Sequence, residues 1–348
     1  MPLKRIDYFP HLESCWNEHL QPKPENAPTV ISTFAGCGGS SLGYSMAGFR
    51  ELLAIEWDNN AVETFKLNFP DVPVYHGDIA KISVEDVLSM TGLKVGELDI
   101  FDGSPPCQGF STAGKRQLDD PRNQLFREYV RLLRGLQPKV FVMENVSGMV
   151  KGVMKLVFVE ILKELKASGY KVSARLLNAM YFGVPQSRQR MIFVGVRDDL
   201  GIEPSHPEAE TEAVNLGIAI AGCLPTPRLA NSERITLYWN IMEAGQCIAD
   251  VDPKGNGFTA IKVNPNKPSP TITKGWTAGT GLMHNLEPRF LSDAEVKRLG
   301  SFPDKYKTSG NSSDVIKRIG NSVPPLFMRS IARHIRANIL DTVRKHSE

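Results

Sequence analysis

Four groups in this 348-residue chain have the types and spacing to do chemistry. The sharpest is Pro105-Pro106-Cys107-Gln108. Two prolines fix φ and remove backbone donors, so the turn is stiff and the Cys107 thiol sits at its tip. A thiol is a covalent nucleophile once its pKa is lowered. A lone cysteine more often behaves as a small hydrophobe, so the reading rests on its neighbours. The second group is Glu144-Asn145-Val146, at the end of the apolar run 139–143. A carboxylate at a buried strand end is costly without a partner or a task. The third is Arg188 and Arg190, which face one side of an extended segment because they alternate. The plain alternative for them is a solvated edge. The fourth is a glycine-rich stretch, Phe34-Ala35-Gly36-Cys37-Gly38-Gly39, directly after the apolar run 29–34.

These groups need strands that end together. The runs 29–34, 51–55, 74–76, 98–101, 139–143, 171–178 and 190–196 read as strands. Helices are expected over 60–69, 123–136 and 152–168, and a short one ending near Gly48. Glycines after a first strand let the backbone approach a ligand closely. Glu56 lies 20 residues after Gly36, the spacing at which an acid meets ribose hydroxyls in dinucleotide-type folds. Asp78 follows the third strand. The ordinary alternative is three strand-to-helix turns with an Asp N-cap. No Gly-Lys-Ser/Thr is present, so phosphate binding is not favoured. The pattern predicts an α/β fold: a doubly wound, mostly parallel, Rossmann-like sheet.

From 198 to 288 the texture changes, with more Pro, Gly, Asn and Thr and little helical periodicity. This segment is expected to be a smaller, irregular β-rich domain inserted into the first. The predicted division is 1–197 plus 305–348 for the sheet domain, 198–288 for the insertion and 289–304 for a connecting helix. Ser292 and Glu295 form a capping-box pattern at that helix. Net charge is +3, yet 198–288 carries 6 basic against 11 acidic residues. A polyanion-binding face cannot be a uniformly basic middle segment. The five cysteines (15, 37, 107, 223, 247) include no CxxC, so neither a zinc site nor a disulfide framework is indicated. No apolar run reaches the roughly 18 residues of a membrane span. The first residues lack the apolar core of a signal peptide. A reducing intracellular compartment is expected.

Taken in order, these motifs resemble the C5-cytosine DNA methyltransferases of bacterial restriction-modification type. The resemblance covers most of the chain from about Thr29 to Val323, excluding the insertion. One departure is Ser32-Thr33 before Phe34, where the family often has Asp-Leu. The resemblance implies that S-adenosylmethionine lies on Phe34, Ala35, Gly36, Gly38 and Gly39. Glu56 would meet its ribose, Trp57 its adenine, and Asp78 with Ile79 the adenine amine. Pro106 would border it, and Asn321 and Ser322 would reach its methionine end. It implies further that Cys107 adds to C6 of cytosine, that Glu144 holds N3 and the amino group, and that Arg190, helped by Arg188, contacts O2 and the backbone. Double-stranded DNA would be met by Gln108, Ser111, Lys115, Arg116 and Arg122 around a closing loop. In the insertion it would be met by Arg234, Thr236 and Tyr238, with Asn231, Asn240 and Lys262 further able to read bases or phosphates. The target base must leave the duplex to be reached.

The implied protein is a monomeric, cytoplasmic DNA (cytosine-5-)-methyltransferase without metal, with room for a cognate restriction endonuclease as a genetic partner. Two alternatives are the same chemistry on transfer RNA and a catalytically silent DNA-binding regulator. The chain lacks the Cys-Phe-Thr signature of the RNA branch. A silent regulator predicts loss of Cys107, Glu144 or an arginine, and all are present.

Overall fold

The apolar run Thr29–Thr33 forms β1, a central strand with all five residues buried. The computed structural model describes residues 2–106, 121–150, 154–223, 228–229, 233–256, 260–275 and 281–347. They divide into two compact units.

The larger unit comprises 17–178, 189–208 and 328–348. Most of α1 (Tyr8–Leu20) precedes it. After β1 come α2 (Gly39–Met46), β2 (Arg50–Glu56), α3 (Asn59–Asn68), β3 (Val74–His76) and α4 (Val84–Thr91). Then follow β4 (Ile100–Gly103), α5 (Pro121–Leu136), β5 (Val140–Val146), α6 (Met154–Lys166), β6 (Tyr170–Asn178) and β7 (Gln189–Arg197). The seven strands take the order β3-β2-β1-β4-β5-β7-β6. The first five are parallel, and β7 runs antiparallel to both β5 and β6. Parallel strands of this kind read as apolar runs because both faces are covered.

Alternation sorts the two faces. Ile31, Phe101, Phe141 and Phe193 join Val87 of α4, Phe126 and Leu133 of α5, and Val157 and Ile161 of α6 in one apolar cluster. Ser32 and Asp102 point to the other face, where Ser41 and Tyr44 of α2 meet them. Helix starts follow local chemistry. Asp58 caps α3 through the Ala61 amide, and Ser83 with Asp86 forms a capping box on α4.

The smaller unit comprises 1–16, 179–188 and 209–327. It holds α7 (Leu216–Ile220), β8 (Arg228–Leu229), α8 (Glu233–Ile241), β9 (Ala260–Lys262), β10 (Gly281–Met283), β11 (Arg289–Phe290), α9 (Asp293–Leu299) and α10 (Ser312–Asn321). The chain ends with α11 (Pro325–Ile335) and α12 (Asp341–Ser347). The four short strands of this unit lie in the order β8-β11-β10-β9. Met242, Ile248, Ala260, Met283 and Phe290 form its core, with Tyr238 and Trp239 of α8 packed on them. Ser292 and Glu295 make the expected capping box on α9. Glu295 also takes both ends of the Arg289 guanidinium at 2.8 and 2.9 Å.

The division departs from the expected boundaries. Residues 198–208 stay with the sheet, whereas 1–16, 179–188 and 289–327 join the smaller unit. The segment expected to be irregular β also contains a regular helix, α8.

Candidate active site

The strand order reverses at β1, whose neighbours are β2 on one side and β4 on the other. Ligands of open α/β sheets bind outside the carboxyl ends of the strands at such a switch point. Thr33 pairs with Gly103, and Gly103 with Met143. The glycine loop, the Ser104-Pro105-Pro106 turn and Glu144 therefore leave adjacent strand ends side by side. Gly103 is required there, because a Cβ would strike Thr33 Oγ1 and the Tyr129 ring.

The loop after β1 has an unusual backbone. Phe34, Gly36 and Gly38 adopt left-handed φ values of 54, 57 and 86°. Alternating left-handed residues curl a chain into a concavity lined by N–H groups. Phe34 is a strained exception, since non-glycine residues seldom hold this conformation. Gly38 is the N-cap of α2 and, as a glycine, offers no side-chain acceptor of its own to the helix's first amides. Glu56, at the end of β2, braces the concavity. Its Oε2 accepts from Gly36 N at 2.7 Å, and its Oε1 accepts from Trp57 N and Asp58 N, each at 2.9 Å.

Trp57 leaves its indole 76% exposed beside this loop. Asp78 is half-buried and accepts from Ala80 N at 3.0 Å. These residues fit a nucleoside-bearing ligand: a carboxylate for ribose, an exposed aromatic face for a base and a second carboxylate for an amine. Ile79 does not fit with its side chain. It is 4% exposed and belongs to the apolar core, so only its backbone is available. Ala35 is also buried, with its N–H donated to Ile55 O. Pro106 is exposed.

Glu144 and Arg190 form an ion pair of 2.6 Å with side chains only 12 and 13% exposed. Arg190 pairs directly with Val146 across β5 and β7, while Glu144 pairs with Ile192. The two charges therefore meet diagonally across the ladder. Neighbouring Asn145 donates Nδ2 to Pro105 O at 3.2 Å and accepts Val146 N on Oδ1. That contact ties the β5 end to the proline turn that leads into Cys107. Cys107, Gln108, Ser111, Lys115 and Arg116 lie outside the described residues, as do the side chains of Arg122 and Arg234 and all of Asn231.

Arg188 departs from the expected role. It is 2% exposed in the smaller unit and donates to Ile272 O at 3.2 Å and Gly320 O at 3.0 Å. Gly320 also approaches the 273–274 backbone so closely that a Cβ would stand 2.7 Å from it. Gln186 adds a buried bridge, accepting Ile272 N and donating to Leu299 O. Gln186 and Arg188 thus hold the smaller unit together, and it is Arg190 of the two arginines that meets Glu144.

Two expected DNA contacts are likewise structural. Tyr238 packs on the smaller core and donates its hydroxyl to Asp252 at 3.0 Å. Lys262 caps the end of α8, donating to Trp239 O and Met242 O and lying 4.0 Å over the Trp239 ring. Thr236 is half-buried, and the open face of α8 carries Leu237, Asn240 and Ile241. Asn321 is exposed at the end of α10, while Ser322 is buried and donates to Arg318 O. The acidic balance of 198–288 is locally offset: Glu203 pairs with Lys171 and Glu208 with Arg175 on β6.

Sequence reasoning missed two buried carboxyls on the face that α2 covers. Asp102 is 4% exposed and accepts from Tyr44 Oη at 3.0 Å. Burial, reinforced by the like charge of Glu144, pushes its pKa up to about 7 against the opposing hydrogen bonds of Tyr44 and Ser40. Glu51 is pushed up to about 8, chiefly by burial, against hydrogen bonds from Ser32 and Ser41. Its position at the start of β2, in an apolar strand, was the available signal. Among the described residues there is no metal-holding cluster, and no helix is long and apolar enough to cross a membrane.

Comparison with known proteins gives the family and the fold. The family described as C-5 cytosine-specific DNA methylase matches residues 28–234 and 230–337. The Type II methyltransferase M1.HphI of Haemophilus parahaemolyticus is 34% identical over 330 residues, covering 88% of this chain and 86% of its own length. The Type II methyltransferase M.NgoFVII of Neisseria gonorrhoeae is 33% identical, covering 92% of this chain and 89% of its own. A crystal structure described as a DNA modification methyltransferase encoded within an E. coli prophage shares the fold. Its TM-score is 0.76 at 23% identity, over 90% of this chain and 100% of that one.

Proposed function

The chain belongs to the C-5 cytosine-specific DNA methylase family, and on that premise we propose that Cys107, Glu144 and Arg190 carry its cytosine C5-methylation of DNA, with S-adenosylmethionine as donor. The supporting observation is the buried Glu144–Arg190 pair at the end of β5, tied through Asn145 to the proline turn before Cys107.

Cytosine C5 is a poor nucleophile. The Cys107 thiolate adds to C6 and pushes electron density onto the ring, which makes C5 enamine-like. Arg190 holds the Glu144 carboxyl group in place, and that group would meet N3 and the amino group. That fixed carboxyl group stabilises the charge that reaches the ring during addition. When bound, S-adenosylmethionine supplies an electrophilic methyl group. Phe34 to Gly39 would hold it with Glu56 at the ribose, Trp57 against the adenine and Asp78 at the amine. After C5 is methylated, a base removes its proton and the Cys107 sulfur departs, restoring the aromatic ring. The substrate is a cytosine flipped from duplex DNA. The smaller unit is its reader, and the setting is the bacterial cytoplasm.

Cys107→Ala abolishes methyl transfer while donor binding survives. DNA containing 5-fluorocytosine forms a lasting covalent complex at Cys107, because fluorine cannot leave as a proton does. Full activity of the alanine variant, or a trapped complex on another residue in peptide mapping, refutes the assignment. Bisulfite sequencing of DNA from an expressing host reports the target and the product together.

A further inference from the structure

Asp102 is the residue that joins the two halves of the switch point. It sits on β4, one residue before Gly103 and five before Cys107. Its side chain points to the face that α2 covers, away from the apolar cluster of α4, α5 and α6. Tyr44 donates to its Oδ1 at 3.0 Å, and Ser40 bonds the same carboxyl group. Ser40 and Tyr44 are four residues apart, so both lie on one face of α2, a single turn from each other. Ser40 is the second residue of the helix that follows the left-handed glycine loop. The backbone contributes too, since Asp102 O accepts Thr33 Oγ1 at 3.0 Å across β1 and β4. The loop is fixed to β2 by Ala35 N–H on Ile55 O and by Glu56 on Gly36 N, and these bonds leave its β4 side to other contacts. The carboxyl of Asp102 provides that contact.

We propose that Asp102 is a positioning residue, clamping the helix behind the glycine loop onto the strand that leads into the Pro105-Pro106-Cys107 turn and thereby setting the methyl donor against the base. The inference rests on the function proposed above. The clamp works with a neutral or an ionised acid, because in both it accepts the two hydroxyls. Burial raises the acid to about 7, so both forms are present near neutral pH, and asparagine is the isostere of the neutral one.

Two assays separate the clamp from the chemistry. Reversible addition of a thiolate to C6 makes the C5 hydrogen exchangeable, so tritium release from C5 without donor reports addition alone. Methyl incorporation reports addition and alignment together. Tyr44→Phe removes one hydrogen bond and lowers kcat for methylation roughly 3- to 10-fold. Asp102→Ala removes both and lowers it on the order of 30- to 100-fold, since small misplacements are costly in aligned transfers. Asp102→Asn stays within about 3-fold of the native protein, because it keeps an acceptor in place. In all three, KM for donor and DNA and the rate of tritium release change by less than about 3-fold.

Equal loss of tritium release and methylation in Asp102→Ala overturns the proposal, as does an unchanged kcat in Tyr44→Phe. Poor recovery of Asp102→Ala leaves the Tyr44→Phe and Asp102→Asn pair to decide. If the native protein neither exchanges nor methylates cytosine, the underlying assignment of function fails instead.

Discussion

Replacing Glu51 by glutamine should stabilise the protein, and increasingly so as pH rises. Both carboxylate oxygens of Glu51 are shielded from water without a close hydrogen-bond donor, and the nearby Ser32 and Ser41 hydroxyls offset only part of the burial. The folded protein holds the proton to about 8, against an ordinary value of 4.5. Between those values the native state binds more protons than the unfolded chain. The unfolding free energy therefore falls as pH rises through this window, and the loss is complete above pH 8. At about 1.4 kcal/mol per pH unit, the gap between the two values sets a ceiling of roughly 5 kcal/mol. Local relaxation and water entry reduce this to about 2–3 kcal/mol, since buried sites behave as more polarisable than a dry interior. The amide of Glu51→Gln has no proton to lose, so the stability of that variant lacks this slope. Urea titrations at half-unit steps from pH 5 to 9 measure it. The variant and native curves should nearly meet at pH 5 and separate by about 2–3 kcal/mol at pH 9. Parallel curves across the whole range would show that Glu51 is ionised and solvated in the folded protein, and would refute the reasoning.

Three further perturbations address the site and its frame. Trp57→Ala should weaken donor binding by about 1–3 kcal/mol, the worth of one aromatic stack on a base; calorimetry measures this, and Tm should not change because the indole is 76% exposed. Gly103→Ala should destabilise by roughly 1–3 kcal/mol through its clash with Thr33 and Tyr129, read as a lower urea midpoint with an unaltered slope. Arg188→Lys should loosen the smaller unit by about 2–3 kcal/mol, as a lysine cannot span the Ile272 and Gly320 carbonyls. Limited proteolysis should then cut within 209–327 first, and a stable but inactive Arg188→Lys protein would return Arg188 to the reaction.

Much of the frame was legible because it is local. β2, which ends in Glu56, and β5, whose apolar run is broken by Glu144, announce themselves as apolar runs met by an acid. The Ser292–Glu295 box lies within one helical turn, so three residues of spacing suffice to read it. Asp102 and Glu51 were not legible in this way. Whether a carboxylate in a strand faces solvent or a helix depends on which face α2 covers, and that is a tertiary fact. Ser32 was visible only as a departure from the family's Asp-Leu; the structure gives it neighbours, with Glu51 and Ser41 beside it on the α2 face. The unit boundaries were illegible for a related reason. The chain enters the smaller unit three times, at 1–16, 179–188 and 209–327, and composition cannot register short excursions such as the second.

That second excursion explains why Arg188 and Arg190 separate. Residues i and i+2 share a face only while both belong to one strand. β7 begins at Gln189, and the chain passes from one unit to the other between 188 and 189. Arg190 is therefore bound by the ladder of β5 and β7, which delivers it to Glu144. Arg188 obeys a different constraint: a guanidinium buried to 2% exposure must find acceptors, and the backbone carbonyls of Ile272 and Gly320 supply them. A lysine at either position would keep the charge, yet it would lose different things. At 190 it gives up the geometry of one carboxylate contact. At 188 it leaves two carbonyls of different segments without a shared donor. The two substitutions should consequently differ in kind, Arg190→Lys lowering kcat in a protein of native stability and Arg188→Lys lowering stability first. Steady-state methylation and urea unfolding, measured on both variants, decide whether the motif's arginines divide in this way.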